Sequence, residues 1–197
     1  MKRKILILSV LAILLAILAA NTLAYFTADT KAHNVITTGN VDIALNEWAN
    51  EERTERFEKQ IDVMPGTEVT KIVEVENIGA GSVWVRIWTN GVFLSEDGTP
   101  LDPGVYTLDI NTADWTKQGD FYYYNRALAP GETTEPLFTT VSFNAAMDNR
   151  YQDSDLFLNV NAYAVQSANN GEDVLSANGW PLPTPIPEPT LVPTENP

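Results

Sequence analysis

One stretch decides the fold class of this sequence: Ser82-Val83-Trp84-Val85-Arg86-Ile87-Trp88-Thr89-Asn90. Its side chains alternate between two faces, with Val83, Val85 and Ile87 on one and Trp84, Arg86 and Trp88 on the other. An alternation with period two, carried by β-branched and aromatic residues, is typical of a β-strand. We therefore expect a sheet to be built around this stretch.

Seven further stretches have strand-like alternation or composition: Asn40–Trp48, Phe57–Val63, Val69–Glu76, Val105–Asp109, Phe121–Tyr124, Glu135–Asn144 and Leu156–Gln166. Turn-forming residues lie between them: Met64–Thr67, Asn77–Gly81, Asp97–Pro100, Asp102–Gly104 and Ala129–Glu132. Short strands with frequent turns predict an all-β protein, an antiparallel sandwich of the jelly-roll or Greek-key type over residues 39–178.

Two local features leave alternatives open. Asn46–Lys59 is rich in Glu and Arg and is either a short surface helix or a charged loop. A Pro-Gly turn precedes a strand at Met64–Val69 and again at Ala129–Thr133. This similarity indicates either an internal repeat or the ordinary use of Pro-Gly between strands.

Residues 1–24 have the composition of a secretory signal peptide. The basic Lys2–Lys4 precedes the apolar run Ile5–Ala20, and small residues follow as far as Ala24. The run of 16 residues is shorter than the roughly 20 that cross a bilayer. We therefore favour cleavage between Ala24 and Tyr25 over a retained anchor, with secretion and no membrane contact beyond the signal peptide.

The other end of the chain is proline-rich. Residues 179–197 contain prolines at positions 181, 183, 185, 187, 189, 193 and 197, a spacing that favours a disordered, extended tail acting as a spacer. Leu182–Pro185 is not a complete cell-wall sorting signal, because the glycine and the following apolar segment are missing.

Charge and cysteine content exclude several classes of function. The formal net charge is −14, and such a surface repels nucleic acid. The sequence has no Cys, which excludes disulfides, thiolate metal sites and thiol catalysis.

Two blocks of sequence resemble a known family. Tyr25-Phe26-Thr27-Ala28 follows the signal peptide, and Asn34–Ile43 leads from it into the first strand. Val63–Ile87 contains a Pro-Gly turn, a strand, an Asn-x-Gly turn and the next strand. Over roughly residues 20–90, the chain is similar to the TasA/camelysin (CalY) family of secreted bacterial matrix proteins.

The resemblance implies a jelly-roll subunit of biofilm-matrix fibres, made by a Gram-positive bacterium, released by a signal peptidase of the SipW type and assembled by donor-strand complementation. Residues 25–38 would form the donor arm, with Tyr25, Phe26, Thr27, Val35 and Ile36 as its principal residues. An extended arm can add to an exposed sheet edge, and a head-to-tail contact that does not close propagates as a filament. The expected partner is another copy of the chain, with other matrix proteins or cell-wall polysaccharide left open.

The aromatic residues support a second hypothesis, a secreted carbohydrate-binding module. Trp84 and Trp88 either stack on sugar rings or form the second buried face of a central strand. Tyr122 and Tyr124 are further candidates for a ligand site or a contact between subunits.

We expect no enzymatic activity. Some members of the family have been described as metallopeptidases, but a zinc peptidase needs several suitably spaced ligands, and His33 is the single histidine. No cofactor is expected apart from a weak calcium candidate. Asp148, Asn149, Asp153 and Asp155 offer oxygen ligands there, without the spacing of an EF-hand.

Overall fold

The computed structural model describes residues 35–36, 41–57, 60–62 and 64–183, which form eleven strands in two sheets. Helical structure in these residues is limited to two short 3-10 turns, Pro103–Val105 and Asn149–Tyr151. The prediction of an all-β protein with antiparallel sheets is therefore confirmed.

The larger sheet has seven strands. Along its main path the order is β1 (Val35–Ile36), β11 (Asp155–Gln166), β5 (Val83–Leu94), β9 (Phe121–Tyr124) and β8 (Trp115–Gln118). Two short strands extend it, with β3 (Gln60–Asp62) paired to β11 and β6 (Pro100–Leu101) paired to β5. All of these pairs are antiparallel except that of β1 with β11, which is parallel.

The smaller sheet has four antiparallel strands, in the order β2 (Ile43–Trp48), β4 (Glu68–Asn77), β10 (Phe138–Phe143) and β7 (Tyr106–Leu108). The register of β4 against β10 shifts between Phe138 and Thr140, because Lys71 and Ile72 of β4 lie opposite Thr139 alone. Asp109, which follows β7, holds the same part of β10, since its Oδ1 accepts the amide N–H groups of both Thr139 and Thr140.

One apolar core lies between the two sheets. Val73 and Val75 of β4 face Val85 and Ile87 of β5 in a single cluster, and all four are fully buried. Burying an aliphatic side chain of this kind contributes roughly 1.5–3 kcal/mol. In Ser82–Asn90, the face formed by Val83, Val85 and Ile87 is the one that builds the core.

The charged stretch Asn46–Lys59 contains no helix among its described residues. Asn46–Trp48 belongs to β2, and Ala49–Phe57 is a loop of turns with one bridge between Trp48 and Arg56. Of the two alternatives for this stretch, the loop is the one found.

Lys71 places a cation at one end of the core. Its side chain is 2% exposed, its Nζ donates to Glu47 Oε1, and it lies 4.0 Å from the ring centroid of Phe57. Burial lowers the pKa of Lys71, and the Glu47 carboxylate opposes that shift in part.

Replacing Lys71 with Met tests this burial. Because the pKa in the folded state lies below the ordinary value of 10.5, the unfolded chain binds more protons between the two values. The free energy of unfolding of the wild type therefore rises with pH in that window. The stability gained there is lost again as pH falls through the folded-state pKa. We expect the wild type to gain stability relative to Lys71→Met as pH rises toward 10.5.

Urea unfolding across that range measures the difference. Lys117→Met, which removes an exposed lysine, is the matched control and should follow the wild type. Equal pH slopes for the wild type and Lys71→Met would contradict the assignment.

Candidate functional site

The outer edge of β11 carries the part of the predicted donor arm that the structure describes. Val35 lies beside Ala162, and Ile36 lies beside Tyr163, in a parallel ladder. On the same edge, β3 pairs with Asp155–Phe157. This edge of the twelve-residue β11 is therefore occupied by two short strands, whereas β5 pairs with the opposite edge along the whole strand.

The remaining arm residues lie outside the described residues. These are Tyr25, Phe26 and Thr27, together with the predicted cleavage site between Ala24 and Tyr25. His33 lies outside them as well. Among the residues that are described, no helix is long and apolar enough to cross a membrane.

The C-terminal segment after β11, residues 167–183, lies on the outer face of the larger sheet. Trp84 is 8% exposed there and packs with Val165, Val174 and Ala177. Its Nε1 donates to the carbonyl oxygen of Asn170 over 2.9 Å. Trp84 is thus covered by the protein's own chain and is not open to a ligand in this structure.

Arg86, next to Trp84 on the same face, holds the end of this segment. Its guanidinium carbon lies 3.9 Å from the ring centroid of Phe121 and 4.7 Å from that of Trp180. Its Nη2 donates to the carbonyl oxygen of Pro181 over 2.9 Å. Trp180 also meets Tyr123 edge to face, at 5.8 Å between centroids. Packing against the sheet thus extends to Pro181, past the predicted domain end at residue 178.

The other three candidate aromatics have different surroundings. Tyr124 is 3% exposed and stacks against Trp115 in the core, with 5.0 Å between centroids. Tyr122 and Trp88 are both half-buried. They line one cavity of about 410 Å³, together with Thr89, Asn90, Lys117 and Asp120.

This cavity lies at a gap in the pairing of β5. On the edge that faces away from β11, β5 pairs with β9 through Arg86–Trp88 and with β6 through Phe93–Leu94. Within the described part of the chain, no strand pairs with Thr89–Val92 on that edge. The Tyr106 side chain covers this edge at Gly91, where a Cβ would lie 2.5 Å from its hydroxyl oxygen, and burial raises the pKa of Tyr106.

The calcium candidates lie around the second 3-10 turn and the start of β11. Asp148 caps the second 3-10 turn and accepts hydrogen bonds from the Arg150 backbone and guanidinium, which lowers the pKa of Asp148. Asn149 begins that turn, Asp153 has a positive φ of 56°, and Asp155 begins β11. Among the described residues no group of three or more His, Cys, Asp or Glu is placed to hold a metal ion.

Sequence reasoning missed the Arg86 contacts and the polar residues of the cavity. Arg86 and Pro181 are 95 positions apart, so no local pattern links them. Lys117 and Asp120 flank the Gly119 turn between β8 and β9, and β8 itself was not predicted. The Trp180-Pro181 pair at the start of the proline-rich tail is a sequence signal that indicates a docking segment.

No family model, curated protein or solved structure matches this chain. The resemblance of the two sequence blocks to the TasA/camelysin family therefore remains a hypothesis that rests on those residues alone.

Replacing Trp180 with Ala tests the docking of the C-terminal segment. The change removes the ring that stacks on Arg86 and contacts Tyr123. We expect the free energy of unfolding to fall by roughly 1–3 kcal/mol. Limited proteolysis should also cut residues 167–183 faster.

Leu182→Ala is the matched control, because Leu182 is 85% exposed in the same segment, and it should leave both readouts unchanged. Equal stability and equal cleavage rates for Trp180→Ala and wild type would show that the segment is not held by this contact.

Proposed function

We propose that this protein is the structural subunit of an extracellular matrix fibre, assembled head to tail by donor-strand complementation. In this proposal a signal peptidase of the SipW type removes residues 1–24, and the arm, residues 25–38, of one subunit then pairs with β11 of the next. The sandwich would be a jelly roll with a disordered proline-rich tail, and the role needs no catalytic residue.

The observation that carries the proposal is the pairing of Val35 and Ile36 with β11. This strand follows closely after the predicted cleavage site and belongs to a different sheet from its neighbour in sequence, β2. An element of this kind can be exchanged for the identical element of another copy, because the same contacts form in either arrangement. The pairing within one chain is thus the closed form of the contact that would link subunits.

The outer edge of β11 is only partly paired, which supports the exchange of the arm between subunits. Strand edges left partly unpaired are templates for an added strand. The described partners on this edge are three residues of β3 and two residues of β1. A longer segment of the arm can extend the short β1 ladder when it comes from a neighbouring subunit.

The chain length sets how closely subunits must pack. Val41 is buried in the core, and the extended chain from Ile36 to Val41 reaches roughly 17 Å. The acceptor edge must therefore lie within that distance of Val41 in the donor. This limit requires neighbouring subunits to touch directly, as in a compact filament.

Proteolytic removal of the signal peptide would also control when fibre assembly begins. Before cleavage the arm is joined to the apolar segment Ile5–Ala20, which is held at the membrane during export. Cleavage frees the N-terminal end of the arm, so assembly would begin only outside the cell.

Proline substitution in β1 tests the proposal. The mature chain, residues 25–197, should form filaments that are visible by negative-stain electron microscopy. The double variant Val35→Pro/Ile36→Pro lacks both amide N–H groups of β1, so whichever one bonds to β11 is removed. We expect this variant to remain monomeric, with the far-ultraviolet circular dichroism of the wild type.

Glu51→Pro is the control. Glu51 occupies the second position of an exposed turn closed by a bond from Arg53 N to Asn50 O, where proline is tolerated. This variant should form filaments like the wild type. Filaments of the Val35→Pro/Ile36→Pro variant, or a mature wild-type chain that stays monomeric at high concentration, would overturn the proposal.

A further inference from the structure

The gap in the pairing of β5 is closed at both ends. Phe121, the first residue of β9, lies opposite Trp88, and Leu101, the last residue of β6, lies opposite Phe93. The unpaired edge between them is four residues, Thr89–Val92, or roughly 13 Å. A peptide that added to this edge would run into β9 in one direction and into β6 in the other.

A side chain from the other sheet also covers the main chain at the gap. The Tyr106 hydroxyl lies so close to Gly91 that a Cβ there would be 2.5 Å from its oxygen. An incoming strand would have to displace Tyr106 to pair with this part of β5. The gap therefore suits a compact ligand better than an extended peptide.

The side chains around the gap have the composition of a polar ligand site. Trp88 and Tyr122 provide two half-buried aromatic rings. Asn90, Lys117 and Asp120 also line the cavity and add donors and acceptors. A second cavity of about 470 Å³ adjoins the first, since both are lined by Asn90 and Tyr122.

One buried group in the cavity wall lacks a partner. The Oγ1 of Thr89 is inaccessible to solvent and has no hydrogen-bond partner among the described residues. A buried hydroxyl without a partner is costly, and such groups often mark a site that a ligand or water completes. Thr89 is one of the residues that line the cavity of Trp88 and Tyr122.

We propose that this cavity binds one or two sugar rings of a polysaccharide. A pyranose presents C–H groups on its faces, which stack on an aromatic ring, and hydroxyl groups at its rim, which need donors and acceptors. Trp88 serves as the platform, and Asn90, Lys117 and Asp120 bind the rim hydroxyls. Concave sites that combine apolar walls with a few polar groups are the usual form of small-ligand sites.

The site differs from the pair Trp84 and Trp88 that the sequence indicated. Trp84 is covered by the C-terminal segment, so Trp88 alone is the platform. Tyr122 lines the cavity from the other face of the sheet, because it lies opposite Ile87 and packs against the core. The proposal is independent of fibre assembly, because no residue of the cavity lies on the outer edge of β11.

Titration with oligosaccharides tests the proposal. The probes are maltotetraose, cellotetraose and tetra-N-acetylchitotetraose, added to the mature chain up to about 10 mM, so that a site with a Kd as weak as about 1 mM is filled to roughly nine-tenths. The chain carries 5-fluorotryptophan at its five Trp positions, so fluorine NMR reports each ring separately. At least one probe should shift the Trp88 resonance and leave that of Trp48, on the other sheet, unchanged.

Substitutions then locate the site by calorimetry with the probe that binds. Trp88→Ala should weaken binding at least about tenfold, whereas Trp48→Ala should not change it. If Trp88→Ala does not fold, Lys117→Ala/Asp120→Ala carries the test, because both side chains are exposed. This variant should weaken binding by about the same factor and keep the circular dichroism of the wild type.

Three results would overturn the proposal. The first is no shift of Trp88 with any of the three probes. The second is binding that Trp88→Ala and Lys117→Ala/Asp120→Ala leave unchanged. The third is a Trp88 shift caused by a synthetic peptide of residues 25–40 and by none of the sugars, which would make the gap a strand acceptor. Electron microscopy of the same variants scores fibre formation separately, so failure of one proposal does not imply failure of the other.

Discussion

The structure depends on the antiparallel pairing of β5 with β11, which joins twelve residues of each strand without a break. Both strands place one face in the core, and the other face of each contributes to the packing around Trp84 and Arg86. The other strands that pair with β5 and β11 are short, so the outer edge of each long strand is paired only in pieces. The fibre proposal concerns the outer edge of β11, and the sugar-site proposal concerns the outer edge of β5.

On the outer edge of β11, the part of the backbone that is not paired can bond to the arm that precedes the domain. A strand edge offers hydrogen-bond donors and acceptors at fixed spacing, and any extended segment of adequate length can use them. On the β5 edge the flanking strands leave too little room for such a segment, and aromatic and polar side chains surround the opening instead. The same kind of defect in a sheet thus favours a protein partner at one edge and a small ligand at the other. With a formal net charge of −14, copies of the chain repel one another at long range, so assembly requires specific short-range pairing.

Most of the strands could be predicted from local sequence patterns, whereas the surroundings of the candidate site residues could not. The alternation in Ser82–Asn90 predicted β5, although the strand continues through Gly91 to Leu94, because cross-strand pairing with β11 outweighs the low strand propensity of glycine. The strand β8 was missed, since Trp115–Gln118 has one buried apolar residue followed by polar ones and depends on its hairpin with β9. The cover over Trp84 and the cavity at Trp88 both arise from contacts between distant parts of the chain. Two tryptophans with the same local pattern therefore have different environments.

The exchange of the arm between subunits can be measured directly by disulfide trapping, since the natural chain has no Cys. Val35 and Ala162 are register partners, and adjacent strands bring Cα atoms to about 4.8 Å, inside the roughly 4.4–6.8 Å that a disulfide spans. We expect an equal mixture of mature Val35→Cys and Ala162→Cys chains, assembled and then oxidised, to give dimers linked between positions 35 and 162. The opposite result is a mixture that gives no such dimer, together with filaments of the Val35→Cys/Ala162→Cys double variant that form the link within single chains. That result would show that the arm stays in its own subunit and would contradict assembly by arm exchange.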